Sequence, residues 1–476
     1  MNLHFGAVTP YKLFIFLIVG SICALSIKAF LQYSGQGYVY ILFTIVSNLL
    51  LYFGFRKKAI FFDTFIGLLL WLGFWLKSSV RIAFLDGVFR QPTGMFDGSP
   101  AAFDQALLIS ACGLSGFLLA SIIRERFIFN YPDKMNAVSM RGLFAFYQMY
   151  RNYILTAFVC VVVLVAVSNV FFGIYQRGEV PRTVLPFGLS GIYTWLLLFG
   201  LASVSALMLH FEFALKKSTS LLIAMLALLE TFLSNVSMLS RGMILNGGAL
   251  FYGALRSLRI YSTTSNIRTL LIVAAIFGIL FVSSVFVVNH LRAGQEIANI
   301  TVDKVVENNS SNKLADLILD RWVGIEGVMA VASSSSMGWD LWGTAWDEKF
   351  DVNQTSFFDK ELITSPYRNM DTSKHHYVSL PGIIAFCFYP GSYLFLFISI
   401  VLAGLFAAFV ELSAYKMGGR NVILCALIAQ VIAYRYMSFG YVPARSYMLF
   451  GTIYLNLVII FVAEKIAQYM CDRKSR

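Results

Sequence analysis

Long apolar runs separated by short polar connections set the rhythm of this chain. A helix of roughly 17–25 apolar residues is long enough to cross the hydrocarbon core of a bilayer. Such runs recur near 13–32, 38–55, 60–80, 104–123, 153–174, 188–210, 219–238, 243–258, 269–291, 392–414, 421–438 and 447–468. They predict an all-α polytopic membrane protein of about twelve transmembrane helices, because only helices satisfy their own backbone in lipid. The run 243–258 is the weakest, being short and interrupted by Gly247, Gly248 and Gly253. One polar stretch breaks the rhythm: residues 292–380 are far more than a plain connector needs. The chain therefore divides into 1–291 with nine helices, a large loop 292–380, and 381–476 with three helices and a tail.

The loop has a pattern of its own. Leu314, Leu317, Ile318, Ile325 and Val328 recur at helical spacing and predict a helix over 314–332. Trp339, Trp342, Trp346 and Phe350 follow at three- and four-residue intervals. Such an amphipathic aromatic face suits a membrane interface, so the loop is expected to lie over the bundle as amphipathic helices. The two halves of the span pattern show no internal repeat, which argues against an inverted-repeat transporter.

Composition agrees with this picture. The 476 residues are 58% hydrophobic and carry a formal net charge of +12, with a mean hydropathy of +0.72. A soluble domain could not hide that much apolar surface. The cations sit in short connections between apolar runs, which points to topology and anionic lipid headgroups, and no nucleic-acid partner is expected. With the N-terminus inside, alternate loops receive Arg56-Lys57-Lys58, Arg124 to Arg151, Lys216-Lys217, Arg256 to Arg268, Lys416 with Arg420, and Arg473-Lys474-Arg476. The positive-inside rule then places both termini in the cytoplasm and the large loop on the outer side of the membrane. The first apolar run has no small-residue cleavage site behind it and reads as a retained span. Cys23, Cys112, Cys160, Cys387, Cys425 and Cys471 lack metal-like spacing and read as small hydrophobes. The sequons at Asn299, Asn308, Asn309 and Asn353 matter only in a glycosylating host.

Against that asymmetry, Arg81, Arg241, Arg292, Arg321, Arg435 and Arg445 all fall on the side where few cations belong. A guanidinium at such depth calls for something anionic to meet it. Arg435 lies about one turn inside the end of its run, and Arg445 follows the tight Tyr441-Val442-Pro443 connection. Converging guanidiniums would clamp a diphosphate through bidentate forks; taken singly, each could instead snorkel to headgroups. Lys77 and Arg81 share a face at i,i+4 and read as headgroup contacts. For proton transfer, His375 and His376 precede Ser379-Leu380-Pro381-Gly382, where the chain returns to the membrane. An imidazole of ordinary pKa about 6.5 could deprotonate a sugar hydroxyl there. Glu326 and Asp320 compete as bases, while Glu230 and Glu411 are intramembrane carboxylates and functional candidates by default. His210 reads as interfacial packing. There is no phosphate-binding loop, dinucleotide fingerprint, zinc-protease motif or nucleophile elbow, and no Asp-x-Asp pair in an outer loop, so neither a metal nor a cofactor is expected. Without nucleotide chemistry, the substrate must arrive already activated.

The span pattern, the single large outer loop and its flanking arginines resemble the bacterial O-antigen polymerase (Wzy-like) and O-antigen ligase superfamily. Ser240-Arg241-Gly242, the segment Arg321-Trp322-Val323-Gly324-Ile325-Glu326-Gly327 and Ser379-Leu380-Pro381-Gly382 carry the resemblance. It implies a metal-independent glycosyltransferase of the GT-C type, working at the periplasmic face on oligosaccharides linked to undecaprenyl diphosphate as donor and acceptor. By the same resemblance, Arg241, Arg292, Arg321 and Arg435 hold the diphosphate and a loop His or Glu assists the acceptor hydroxyl. A chain-length regulator is a further candidate partner. The nearest alternative is a ligase moving glycan to lipid A–core. A lipid-linked glycan flippase would instead line a central path with charge, and a purely structural envelope protein would leave Arg435 without a purpose.

Overall fold

In the computed structural model, every apolar run of the sequence lies on a helix. The structure describes residues 10–134, 140–216, 220–240, 242–261, 267–296, 322–351, 354–363, 365 and 376–474. Helices α1 (Pro10–Gln32), α2 (Gly37–Phe55), α3 (Phe61–Phe84), α4 (Pro100–Phe127), α5 (Arg141–Phe172), α6 (Pro186–Lys216), α7 (Leu221–Ser237), α8 (Met243–Ile260) and α9 (Ile267–Glu296) precede the large loop. Within the loop lie α10 (Ile325–Ala332) and α11 (Trp339–Trp346); α12 (Ile383–Cys387), α13 (Tyr393–Met417), α14 (Val422–Met437) and α15 (Ser446–Lys474) follow. Among the described residues, eight helices are long and apolar enough to cross a membrane, with three shorter apolar helices beside them. The protein thus has the make-up of a multi-pass helical membrane protein. Helix α9 takes in the first five residues of the expected loop, 292–296. Helices α3 and α6 each contain a π-helical turn, at Trp71–Leu76 and Leu196–Gly200.

Helix α14 is the centre of the bundle. Its residues Val422–Gln430 are all buried, and α3, α6, α8 and α13 pack around it. A helix apolar on every side needs such a surround. The glycines that make 243–258 a weak apolar run are contact surfaces: a Cβ on Gly253 would come within 2.8 Å of the Ala426 Cβ, and one on Gly247 within 2.6 Å of the Phe277 ring. Small residues let helix backbones approach where lipid offers no hydrophobic drive.

Hydrogen bonds gather the connections at two ends. At one end Lys57 pairs with Asp133 at 3.1 Å, Arg56 with Glu125 at 2.6 Å, and Arg256 reaches the Ala59 carbonyl at 2.6 Å. At the other, the Arg177 amide donates to the Met238 carbonyl, His376 to Gly178 and Gly382 to Phe439. Among the described residues, three helices have their first amides met by a carboxylate from a different helix. Asp104 accepts from Gln36 before α2, Glu411 from Phe61 and Phe62 of α3, and Glu464 from Gly142 and Leu143 of α5. Each sets an acceptor oxygen where orphan N–H groups at the start of a helix point. Glu411, expected as a functional carboxylate, is occupied in this way and also accepts from the Tyr131 hydroxyl at 2.7 Å.

The large loop enters the bundle as well as covering it. Ile325, Val328, Met329, Ala330 and Val331 of α10 are fully buried. Added Cβ atoms would collide with the Gly73 carbonyl at Gly324 and with the Pro381 carbonyl at Gly327, so glycine is what admits this wedge. Lys77 and Arg81 are 0% and 2% exposed, which removes them from any headgroup. The Lys77 ammonium meets Glu326 at 2.9 Å and the Trp322 carbonyl at 2.6 Å. The expected start of the loop helix at 314 lies outside the described residues. Of the tryptophan face, Trp339 is exposed, while Trp342 packs on Trp346, Phe386 and Phe395.

Candidate functional site

At the end that gathers the large loop, a cavity of about 460 Å³ opens between α6, α7, α8, α14 and the start of α15. Three guanidiniums line it, from Arg177, Arg435 and Arg445, and no carboxylate does among its described residues. Asn235, Asn246, Gln430, Tyr175, Tyr434 and Tyr441 supply neutral polar groups, and Phe350, Leu198, Leu245 and Leu449 supply apolar wall. Such a surround favours an anion that carries an apolar appendage.

Each arginine is positioned by a separate local device. Helix α5 ends at Gly173 in the left-handed conformation, φ +59°, a common glycine stop. Beyond it, the Asn169 amide donates to the carbonyls of Tyr175 and Ser237, both at 2.9 Å, tying this turn to the end of α7. That brings Arg177 over the Tyr434 ring, 5.7 Å from its centroid. Arg435 lies near the C-terminal end of α14, where its Nη2 donates to the Ser446 hydroxyl at 2.9 Å. Its Nε is buried without a hydrogen-bond partner. Arg445 closes the 3-10 turn Pro443–Arg445 and lies 5.0 Å from the Phe350 ring centre.

His376 stands at the rim. Its Nε2 is 2.7 Å from the Tyr441 hydroxyl, and its ring packs 5.4 Å from that of Phe350. Burial first, and the nearby Glu348 charge second, push the Tyr441 hydroxyl above its ordinary pKa, so it stays protonated and suits the tautomer in which Nε2 accepts. Glu348 accepts from the amides of Phe357 at 2.5 Å and Val442 at 2.8 Å. It thereby fastens the loop to the 441–445 connection. Val442 is held at φ +42°, a conformation that a β-branched residue keeps only when its surroundings impose it.

Burial raises the Glu348 carboxyl above the usual carboxylate range, against the two amide bonds, which lower it. Between its ordinary and raised values the folded chain holds a proton that the unfolded chain releases. This group's contribution to stability therefore falls as pH rises through that window. Melting temperatures of wild type and Glu348→Gln across mildly acid pH are expected to show that slope in the wild type and its loss in the variant.

Of the residues singled out in the sequence, Arg435 and Arg445 come together here, with His376 at the edge. Arg241, Arg321 and His375 lie outside the described residues, as does Asp320, and the Arg292 side chain is likewise not described. Gly242, the neighbour of Arg241, lines the cavity. A Cβ on it would stand 3.9 Å from Arg177 Nη1. Arg81 and Glu326 do not line the cavity. Glu230 is buried in α7 and accepts from the hydroxyls of Ser234 at 2.8 Å and Thr231 at 3.3 Å, away from the lining. His210 packs among Phe211 and Tyr261.

Arg177 and Tyr441 are not among the candidates that the sequence singles out, and Tyr441 figures there only as part of a tight connection. A signal did exist for Asn235, Asn246 and Gln430, since amides inside apolar runs call for partners or a ligand. Set against protein-family models, curated proteins and solved structures, the chain matches none.

Proposed function

We propose that this protein is an inner-membrane glycosyltransferase that polymerises oligosaccharide repeat units carried on undecaprenyl diphosphate, acting at the periplasmic face. The observation that carries the reading is the meeting of Arg177, Arg435 and Arg445, from three separate elements, in a cavity with no carboxylate among its described lining residues. In this reading all twelve of the helices α1–α9 and α13–α15 cross the membrane, and both termini are cytoplasmic. The guanidiniums hold the diphosphate of the donor. As the sugar C1–O bond breaks, the electron pair stays on the departing diphosphate, and fixed cations stabilise that charge more in the transition state than in the ground state. The acceptor hydroxyl forms the new bond to C1 and passes its proton to the Tyr441 oxygen as the Tyr441 proton moves to His376 Nε2. Phe350 and Tyr441 offer ring faces to the sugars.

The test uses cells lacking the gene, complemented with the wild-type chain, with surface glycan resolved on a gel. A complemented ladder that collapses without the gene to a single attached repeat unit supports polymerase. Loss of all attached glycan while lipid-linked polymer accumulates identifies a ligase, which the same cavity would serve. A ladder indifferent to the gene overturns both readings and favours transport.

A further inference from the structure

The end of the bundle opposite the cavity has a second basic recess, about 270 Å³ in volume, between the α2–α3 connection, the 131–133 segment and the last turns of α8. Four cations line it: Arg56, Lys57, Arg256 and Arg259. Two of them are already neutralised, Arg56 by Glu125 at 2.6 Å and Lys57 by Asp133 at 3.1 Å. Arg256 and Arg259, one turn apart on α8, have no carboxylate partner among the described residues.

Arg256 is held rigidly. Its Nη2 donates to the Ala59 carbonyl at 2.6 Å, and its guanidinium lies 5.0 Å from the Phe61 ring centre and 4.9 Å from that of Tyr131. Arg259 is exposed beside it. A fixed planar cation next to an exposed one suits a phosphate, which accepts from both forks. The outer wall is apolar: Phe55 is 54% exposed and lines the recess, and Tyr52, one turn earlier on α2, is 66% exposed. A free phosphate has no use for that wall, whereas a phospholipid would run its acyl chains along it. This is also the end where the chain's cations concentrate, the mark of the side that faces an anionic leaflet.

We infer that this recess binds the phosphate of an anionic phospholipid, with the headgroup against Arg256 and Arg259 and the acyl chains along Phe55 and Tyr52. The inference is independent of the glycosyltransferase reading. The two sites are linked by α8: its first turns carry Leu245 and Asn246 of the cavity, and its last turns carry both arginines. A lipid seated here holds that helix at its far end.

The test is native mass spectrometry of the full chain, delipidated in detergent and titrated with phosphatidylglycerol, phosphatidylcholine or inorganic phosphate. Phosphatidylglycerol is expected to bind in preference to phosphatidylcholine. At about 1 kcal/mol per arginine, Arg259→Gln should weaken that binding roughly fivefold and Arg256→Gln/Arg259→Gln roughly thirtyfold. Arg259→Gln removes no hydrogen bond or ion pair seen in the structure, so its melting temperature should match wild type. Arg126→Gln, an exposed cation stacked on Phe127 at the same end, should leave binding unchanged. Undiminished phosphatidylglycerol binding by a folded Arg259→Gln overturns the site. Displacement of the lipid by millimolar inorganic phosphate overturns the lipid assignment in favour of free phosphate.

Discussion

Alanine in place of Arg435 is expected to reduce glycan chain growth about 10²–10³-fold, the usual loss when one preorganised donor to a developing oxyanion is removed. On a gel the ladder would shorten to its lowest rungs while the amount of protein in the membrane stays at the wild-type level. Arg435→Lys should recover only part of the activity, because an ammonium keeps the charge and loses the planar fork. The hydrogen bond from Arg435 to the Ser446 hydroxyl supplies the control. If Arg435 acts only by bracing the start of α15, Ser446→Ala should impair chain growth as severely. If it meets the diphosphate, Ser446→Ala should be nearly silent. Comparable losses in the two variants would sink the diphosphate assignment.

The largest expected effect on stability comes from the Lys77–Glu326 pair, whose side chains are 1% and 7% exposed. Breaking a buried ion pair from one side leaves an uncompensated charge and costs about 3–5 kcal/mol, whereas replacing both partners with apolar groups is often neutral. Glu326→Leu should therefore lower the melting temperature sharply in detergent, and Lys77→Met/Glu326→Leu should restore most of it. The double variant also decides what Glu326 does. A folded but inactive Lys77→Met/Glu326→Leu protein would restore Glu326 as a chemical group; normal chain growth would leave it a tether that docks α10 against α3.

The helices were legible because each apolar run carries its own instruction: a segment such as 269–291 has no alternative in lipid but to satisfy its backbone as a helix. Arg435 was legible for the same reason, as a charge that an apolar run cannot carry without cause. Partnership was not legible. Lys77 and Glu326 are 249 positions apart, and no periodicity records that one faces the other, so Lys77 read as a headgroup contact and Glu326 as a base. Glu411 shows the same limit. A carboxylate in a span signals a requirement, but only packing reveals that the requirement is the start of α3. Arg177 escaped notice because its place depends on Asn169 folding a turn back over the end of α7, a contact between helices rather than a local pattern.

The carboxylates that close off other helices bear on the order in which the chain is made. Glu411 lies 350 positions after Phe61, and Glu464 lies 322 positions after Gly142. At a synthesis rate of ~5–20 residues per second, α3 waits on the order of tens of seconds for the group that completes it. Until α13 leaves the ribosome and inserts, the first amides of α3 stay hydrated at the membrane surface. The N-terminal part of the protein can therefore enter the bilayer early, but it cannot reach its final depth and packing until the last three long helices have arrived.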